Sequence, residues 1–230
     1  FYNLITAVVN NEEAVSRLLT ELLETLSQKG FQGVDIDFEY ILPTDRIAFA
    51  DFVFLTRQTL SSYGYFVSVA LAPKTSDDQA GLLYAGKDYG LLGQAADSVL
   101  LMTYEWGYTY GPPMAVAPIN KVREVVDYAA TRIPPSKIDL GIPNYGYDWT
   151  LPYERGKSRA RTLGNLEAVE LAVSEGVPIS FDETAMSPYF FYEKDGLTHE
   201  VWFEDVRSNR EKFSLLPLYG LRGLKGEAGK

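Results

Sequence analysis

Three carboxylates stand at every second position in Val34-Asp35-Ile36-Asp37-Phe38-Glu39. In an extended strand alternate side chains point to opposite faces, so Asp35, Asp37 and Glu39 share one face and Val34, Ile36 and Phe38 the other. Acids on a strand enclosed by protein are costly unless hydrogen-bonded or protonated. Mutual repulsion pushes at least one pKa of such a set upward. A carboxyl that keeps its proton near neutral pH can act as a general acid. The three are expected to titrate as a coupled set, so no single value belongs to any one of them. Glu39 stands at the C-terminal end of the run, where a substrate can reach it, and is the expected proton donor. The chemically idle alternative is an edge strand with a solvated acidic face. A shared metal ion is disfavoured, because three side chains at period two on one strand converge poorly on a single cation. No metal and no organic cofactor is expected.

These acids must be positioned by a series of alternating helices and strands. Asn10, with Glu13 three residues on, reads as the start of a helix. Val15, Leu18, Leu19, Leu22, Leu23 and Leu26 form its apolar face, and Gly30 is placed to end it. Leu4 to Val9 is expected as the tail of a strand. The acidic strand, 33–40, follows, and Pro43 and Thr44 open a second helix that ends near Gly64. Further strands are expected at 65–72, 98–104, 137–142 and 219–224, with helices at 88–95 and 119–131. The strands are near-continuous apolar runs, as in sheets covered on both faces. Their alternation with helices implies parallel βαβ units and an α/β fold. Glu39-Tyr40, Tyr104-Glu105-Trp106 and Asn144-Tyr145 fall at C-terminal strand ends, where sites of (β/α)8 barrels are built. Residues 153–203 break the alternation. They hold one helix (166–173) and three short strands, near 178–181, 189–193 and 199–203, with Lys194-Asp195-Gly196 as a hairpin turn. This stretch reads as a small α+β insertion.

Bulk properties narrow the partners. A net charge of −10 disfavours nucleic acid and anionic membranes, both of which require basic patches. No apolar run approaches the length of a membrane span, and no signal peptide is visible. With no cysteine and His199 as the only histidine, thiol chemistry is excluded and a Ser-His-Asp triad or multi-histidine zinc site is disfavoured. The 16 tyrosines suit sugar surfaces, each offering a flat apolar face and a polar edge.

The acidic run resembles the signature of family-18 glycoside hydrolases, the chitinase-like enzymes, whose fourth barrel strand carries Asp-x-x-Asp-x-Asp-x-Glu. Asp35, Asp37 and Glu39 match its last three acids, and Gln32 stands where the first would be. Met102-Thr103-Tyr104-Glu105 resembles the family's sixth-strand Met-x-Tyr-Asp, with glutamate for aspartate. Gly141-Ile142-Pro143-Asn144-Tyr145-Gly146 resembles its seventh-strand Gly-x-Pro-x-Tyr-Gly. With Trp106 and Trp149 following, the chain is most similar to bacterial spore-cortex and cell-wall members, which often carry LysM modules.

The resemblance implies a (β/α)8 TIM barrel, with 1–230 as catalytic domain and 153–203 inserted within it. Only 32 residues precede the acidic strand, so the barrel is expected to lack its first strands. It also implies retaining, substrate-assisted catalysis. Glu39 would be acid and base, Asp37 would hold the substrate's acetamido group with Tyr104, and Asp35 would share a proton with Asp37. Glu105, Asn144 and Tyr145 become candidate sugar contacts. Trp106, Trp149 and Tyr147 become either stacking surfaces or wall packing. The implied partner is a polysaccharide containing N-acetylglucosamine, with peptidoglycan or spore cortex favoured over chitin. The implied location is extracellular, in the cell wall or spore of a bacterium. A lectin-like binding protein and a structural wall or coat domain are the alternatives. Oligomeric state is left open.

Overall fold

The computed structural model describes residues 2–228. The chain forms two compact units. One holds residues up to Met102 with Val125–Asp139 and Leu221–Gly223; the other holds Thr103–Glu124, Leu140–Gly220 and the residues from Leu224.

In chain order the first unit opens with helices α1 (Tyr2–Val9) and α2 (Glu12–Lys29). Leu4 to Val9 is therefore helical and not the tail of a strand. Its apolar residues explain why: Ile5, the buried one, is followed at three and four residues by Val8 and Val9, one face of a helix. The cap of α2 is Asn11, one residue later than expected. Its side chain accepts from the Ala14 N–H at 3.0 Å, while Asn10 donates to Asp45 at 2.9 Å. Gly30, in the left-handed conformation, ends α2.

Strand β1 (Gly33–Ile36) pairs in parallel with β2 (Phe66–Leu71), and β2 with β3 (Ser98–Leu101). Helix α3 (Arg46–Ser61) packs against β2 and against α4 (Tyr89–Ala95). The inner positions of β2, Val67, Val69 and Leu71, are buried, as a strand covered on both faces requires. Two further elements pass from one unit to the other: α5 (Ile119–Arg132) and β4 (Ile138–Pro143).

The second unit is organised by an antiparallel sheet. It contains β5 (Tyr145–Thr150), β6 (Arg161–Gly164), β7 (Ser180–Asp182), β8 (Ser187–Lys194) and β9 (Leu197–Trp202), in the order β6-β5-β9-β8-β7. The sheet thus begins at Tyr145, ahead of the 153–203 stretch. Asp195 and Gly196 turn the β8–β9 hairpin with φ of 52° and 75°, the positive angles a two-residue turn between twisted strands needs. Helix α6 (Asn165–Glu175) contributes Ala168 and Ala172 to a core with Leu163, Phe190, Tyr192, Val201 and Phe203. Tyr145, Tyr147 and Trp149 alternate onto a second cluster with Val116 and Ala160. Helices α7 (Val206–Phe213) and α8 (Leu215–Tyr219) follow, and Lys212 and Glu204 form a fully buried ion pair at 3.1 Å.

The last strand, β10, covers Gly223–Glu227, later than the expected 219–224. Leu215–Tyr219 is helical, and Gly220 at φ 69° ends that helix before the strand can start. The parallel sheet has the order β1-β2-β3-β4-β10, which makes β1 its edge strand among the described residues. The first residues of β4 and β10 lie in the first unit, where the Arg222 N–H donates to the Ile138 carbonyl at 2.8 Å.

Gly33 fixes the entry to β1. A Cβ there would lie 2.0 Å from the Phe66 carbonyl oxygen, which is backbone and cannot move aside without breaking the register. Gly33→Ala is therefore expected to destabilise the protein by about 1–3 kcal/mol, the usual cost of overpacking a well-packed site. Urea unfolding followed by circular dichroism measures this; an unchanged midpoint would contradict the close approach.

Candidate active site

In the first unit, β1 and the residues after it present the acids. Pairing stops at Ile36, so Asp37 and Glu39 lie past the strand, not within one running to residue 40. Phe38 holds this extension in place. Its ring stacks on Phe52 of α3, with centroids 5.7 Å apart, and leans on Phe49 at 5.9 Å. Asp37 and Glu39 flank this anchored ring directly in sequence.

The expected enclosure of the three acids is not what the structure has. Asp35 and Asp37 are exposed and Glu39 is half-buried, because β1 is an edge strand. Asp35 accepts a hydrogen bond from the Ser68 hydroxyl, its partner in the β1–β2 register. The register thus explains why these two side chains meet: paired residues of a parallel ladder project to the same face.

Lys87 is a charged group near these acids that pattern reading missed. It lies in a loop, Ala85-Gly86-Lys87, with no periodicity to mark it. Its side chain is only 1% exposed, and its Nζ has no hydrogen-bond partner among the described residues. Burial pushes the Lys87 ammonium down to about 8, against the opposing pull of the Asp37 and Glu39 carboxylates.

The second unit carries the other candidates. Thr103 is buried and its hydroxyl donates to the Gly141 carbonyl at 3.0 Å. Beyond it Tyr104 is half-buried and packs on the Tyr145–Tyr147–Trp149 cluster. Glu105 has φ 68°, a conformation rare and strained for a residue with a Cβ. The contacts that hold it there are two phenols. Its Oε1 accepts from the Tyr145 hydroxyl at 2.5 Å and from the Tyr147 hydroxyl at 2.7 Å. Tyr145 and Tyr147 sit two residues apart on β5, so both rings emerge on one face, edge to face at 5.7 Å. Burial first, and the Glu105 carboxylate second, raise both phenols above the ordinary tyrosine range.

Three of the aromatic candidates are placed here. Tyr145 and Tyr147 are buried and donate their hydroxyls to Glu105, so they position that carboxylate. Trp149 is 1% exposed and its indole N–H donates to the Gly111 carbonyl at 2.8 Å. It is wall packing, since a ring covered on both faces cannot stack on a sugar. Trp106 is half-buried, and its backbone N–H bonds Val116 at 3.1 Å. Asn144 is exposed, with its N–H on the Glu227 carbonyl at 2.7 Å and its side chain beside Gly226. His199 belongs to a different cluster, bonded to Asp148 at 2.9 Å and stacked on Tyr192. Among the described residues no group of three or more His, Cys, Asp or Glu is arranged to hold a metal ion.

The family model "Glycosyl hydrolases family 18" matches residues 3–225. The chain belongs to this family. It is 44% identical over 218 residues to the cortical fragment-lytic enzyme of Bacillus subtilis (strain 168), covering 94% of this chain and 51% of that protein. The solved spore cortex-lytic enzyme SleL of Bacillus megaterium QM B1551 superposes on 99% of this chain and 52% of its own, with TM-score 0.95 and 41% identity. A chitinase from Chromobacterium violaceum ATCC 12472 matches at TM-score 0.87 and 31% identity, over 94% of this chain and 67% of its own. The α/β fold with a parallel, barrel-type sheet is the one these relatives share. The chain spans about half the length of the curated relatives it matches first.

Removing the Glu105 carboxylate takes an acceptor from two buried tyrosines, of which Tyr147 also bonds Thr109 and Thr162. Glu105→Ala is expected to lower stability by about 1–3 kcal/mol, the cost of an unsatisfied buried polar group. It also removes a negative charge that opposes phenolate formation. Alkaline titration at the phenolate absorbance band should then show Tyr145 and Tyr147 ionising at lower pH than in the wild type. Identical titration curves would mean that Glu105 does not control these phenols.

Proposed function

We propose that this protein is a glycosidase that cleaves the bond next to N-acetylglucosamine in bacterial wall or spore-cortex polysaccharide, by substrate-assisted catalysis with retention. The reading rests above all on the acid set at the end of a parallel strand, Asp35, Asp37 and Glu39, in a chain of this family. In this scheme the enzyme needs no nucleophile of its own. Glu39 gives its proton to the glycosidic oxygen as the bond to the anomeric carbon breaks. The acetamido oxygen of the same sugar forms the new bond and leaves a cationic oxazolinium ring. Water then attacks the anomeric carbon, giving a proton back to Glu39, and the acetamide is restored. Two inversions amount to retention.

The remaining roles follow the family motifs. Asp37 accepts from the acetamido N–H and stabilises the cationic ring. Asp35, already bonded to Ser68, steadies Asp37. Tyr104 donates to the acetamido group, and Glu105, with its strained backbone and two phenolic donors, is a fixed acceptor for sugar hydroxyls. Spore cortex is favoured over chitin by the likeness to a protein named as cortical fragment-lytic. A wall or spore location follows from the same likeness.

The test is hydrolysis of muropeptides and of chitin oligomers side by side, by the wild type and by Glu39→Gln. Turnover is expected in the wild type, preferentially on muropeptides, and a fall of about 10²–10⁴-fold in the variant, the size of a general-acid contribution. Sugar binding without turnover in the wild type would replace the enzyme with a lectin.

A further inference from the structure

Charged side chains that are wholly buried are paired or do a task, because removing an ammonium from water is expensive. Two lysines of the first unit are in this position. Lys74 is satisfied: its Nζ donates to the Lys87 carbonyl at 2.9 Å and to the Asp77 carbonyl at 3.3 Å. Lys87 is not. Its Nζ is buried and makes no hydrogen bond among the described residues.

The loop holds Lys87 in this place by several contacts. A Cβ on Gly86 would meet the Ile41 carbonyl oxygen at 2.3 Å, so the loop backbone lies directly against the segment that leaves Glu39. The Lys87 N–H donates to the Tyr84 carbonyl at 3.0 Å, its carbonyl takes the Lys74 ammonium, and Asp88 next to it caps α4. The backbone is therefore fixed on both sides of the side chain.

We propose that Lys87 is a positioning residue for the glycosidase reaction, its buried ammonium coupled to the Asp37 and Glu39 carboxylates and favouring the anionic Asp37 that the reaction needs. The proposal rests on the functional reading above and adds a residue to it. The charges that act on Lys87 are the two carboxylates, and both favour its protonated form. By reciprocity the ammonium favours their ionised forms to the same degree. Near it Tyr89 is buried, and burial raises its phenol above the ordinary tyrosine range. Lys74, Asp77 and Asp78 lie in the loop after β2, and Asp88 is paired with Arg46 at 3.2 Å. An anionic Asp37 is what a cationic oxazolinium ring needs, and a buried ammonium nearby favours that anion.

The sign of the effect is definite. Loss of a cation disfavours a neighbouring carboxylate. Lys87→Met should move the alkaline limb of the pH–rate profile upward by about 1 unit, the low end of what an opposite charge nearby contributes, and should lower kcat. A merely structural role would change kcat or stability and leave the limb where it is.

A second measurement does not depend on turnover. Nitrogen-detected titration of lysine Nζ should find Lys87 titrating near 8 in the wild type and at lower pH in Glu39→Gln, which removes one of the two supporting charges. Equal Lys87 midpoints in both proteins, or superimposable pH–rate profiles for wild type and Lys87→Met, would overturn the proposal. If the wild type shows no turnover, the glycosidase reading fails by itself, and the lysine titration still decides whether the coupling to Glu39 exists.

Discussion

The parallel pairing of β1 with β2 is the constraint on which the acid set depends. It requires a residue without a side chain at position 33, where the Phe66 carbonyl occupies the space a Cβ would take. Once Gly33 sits opposite Phe66, Asp35 falls opposite Ser68 and accepts its hydroxyl. Two residues beyond the end of β1, Phe38 is captured by the aromatic side of α3. Asp37 lies between these two anchors and Glu39 directly follows the second.

Polar groups elsewhere in the molecule are handled by a different principle. Inside each unit, nearly every buried charge has a dedicated partner. Lys212 and Glu204 meet at 3.1 Å where neither reaches water, and burial raises Glu204 even with that ammonium beside it. Asp139, also buried, is met by Arg222 at 2.7 Å. Glu105, though exposed, is also held by two tyrosines despite an unfavourable backbone angle. Strain at a residue of this kind persists only where the surroundings over-determine it. Lys87 is the exception to this pattern in the first unit, with long-range charge in place of a direct hydrogen bond.

The antiparallel sheet of the second unit has two faces with different work. Gly146, Asp148 and Thr150 alternate with Tyr145, Tyr147 and Trp149 along β5. The aromatic face builds the cluster that backs Tyr104 and fixes Glu105. The other face packs under α6, where Asp148 gathers Tyr192 at 2.6 Å and His199 at 2.9 Å. One strand thus supports the candidate site and the core of the α+β layer at once, simply through its period of two.

Much of this was legible without coordinates. The helix of Val15, Leu19 and Leu26, the acidic strand, the buried strand 66–71 and the hairpin turn at Asp195-Gly196 all follow from period, β-branched content and turn chemistry, which are local properties. So do the acids themselves, since their chemistry and spacing lie within six residues. What the sequence left undecided depends on neighbours distant along the chain. That β1 is an edge strand, and so leaves Asp35 and Asp37 exposed, depends on which strands pair. That Trp149 is wall and not a stacking surface depends on Gly111, 38 residues away. That Tyr145 and Tyr147 serve Glu105 depends on the meeting of a loop and a strand about 40 residues apart. Lys87, an ordinary lysine in a glycine loop, becomes a buried charge only because Gly86 lets that loop close against Ile41. Local pattern determines what each segment can be; burial and pairing, which set the energy of every charge here, exist only once distant segments have met.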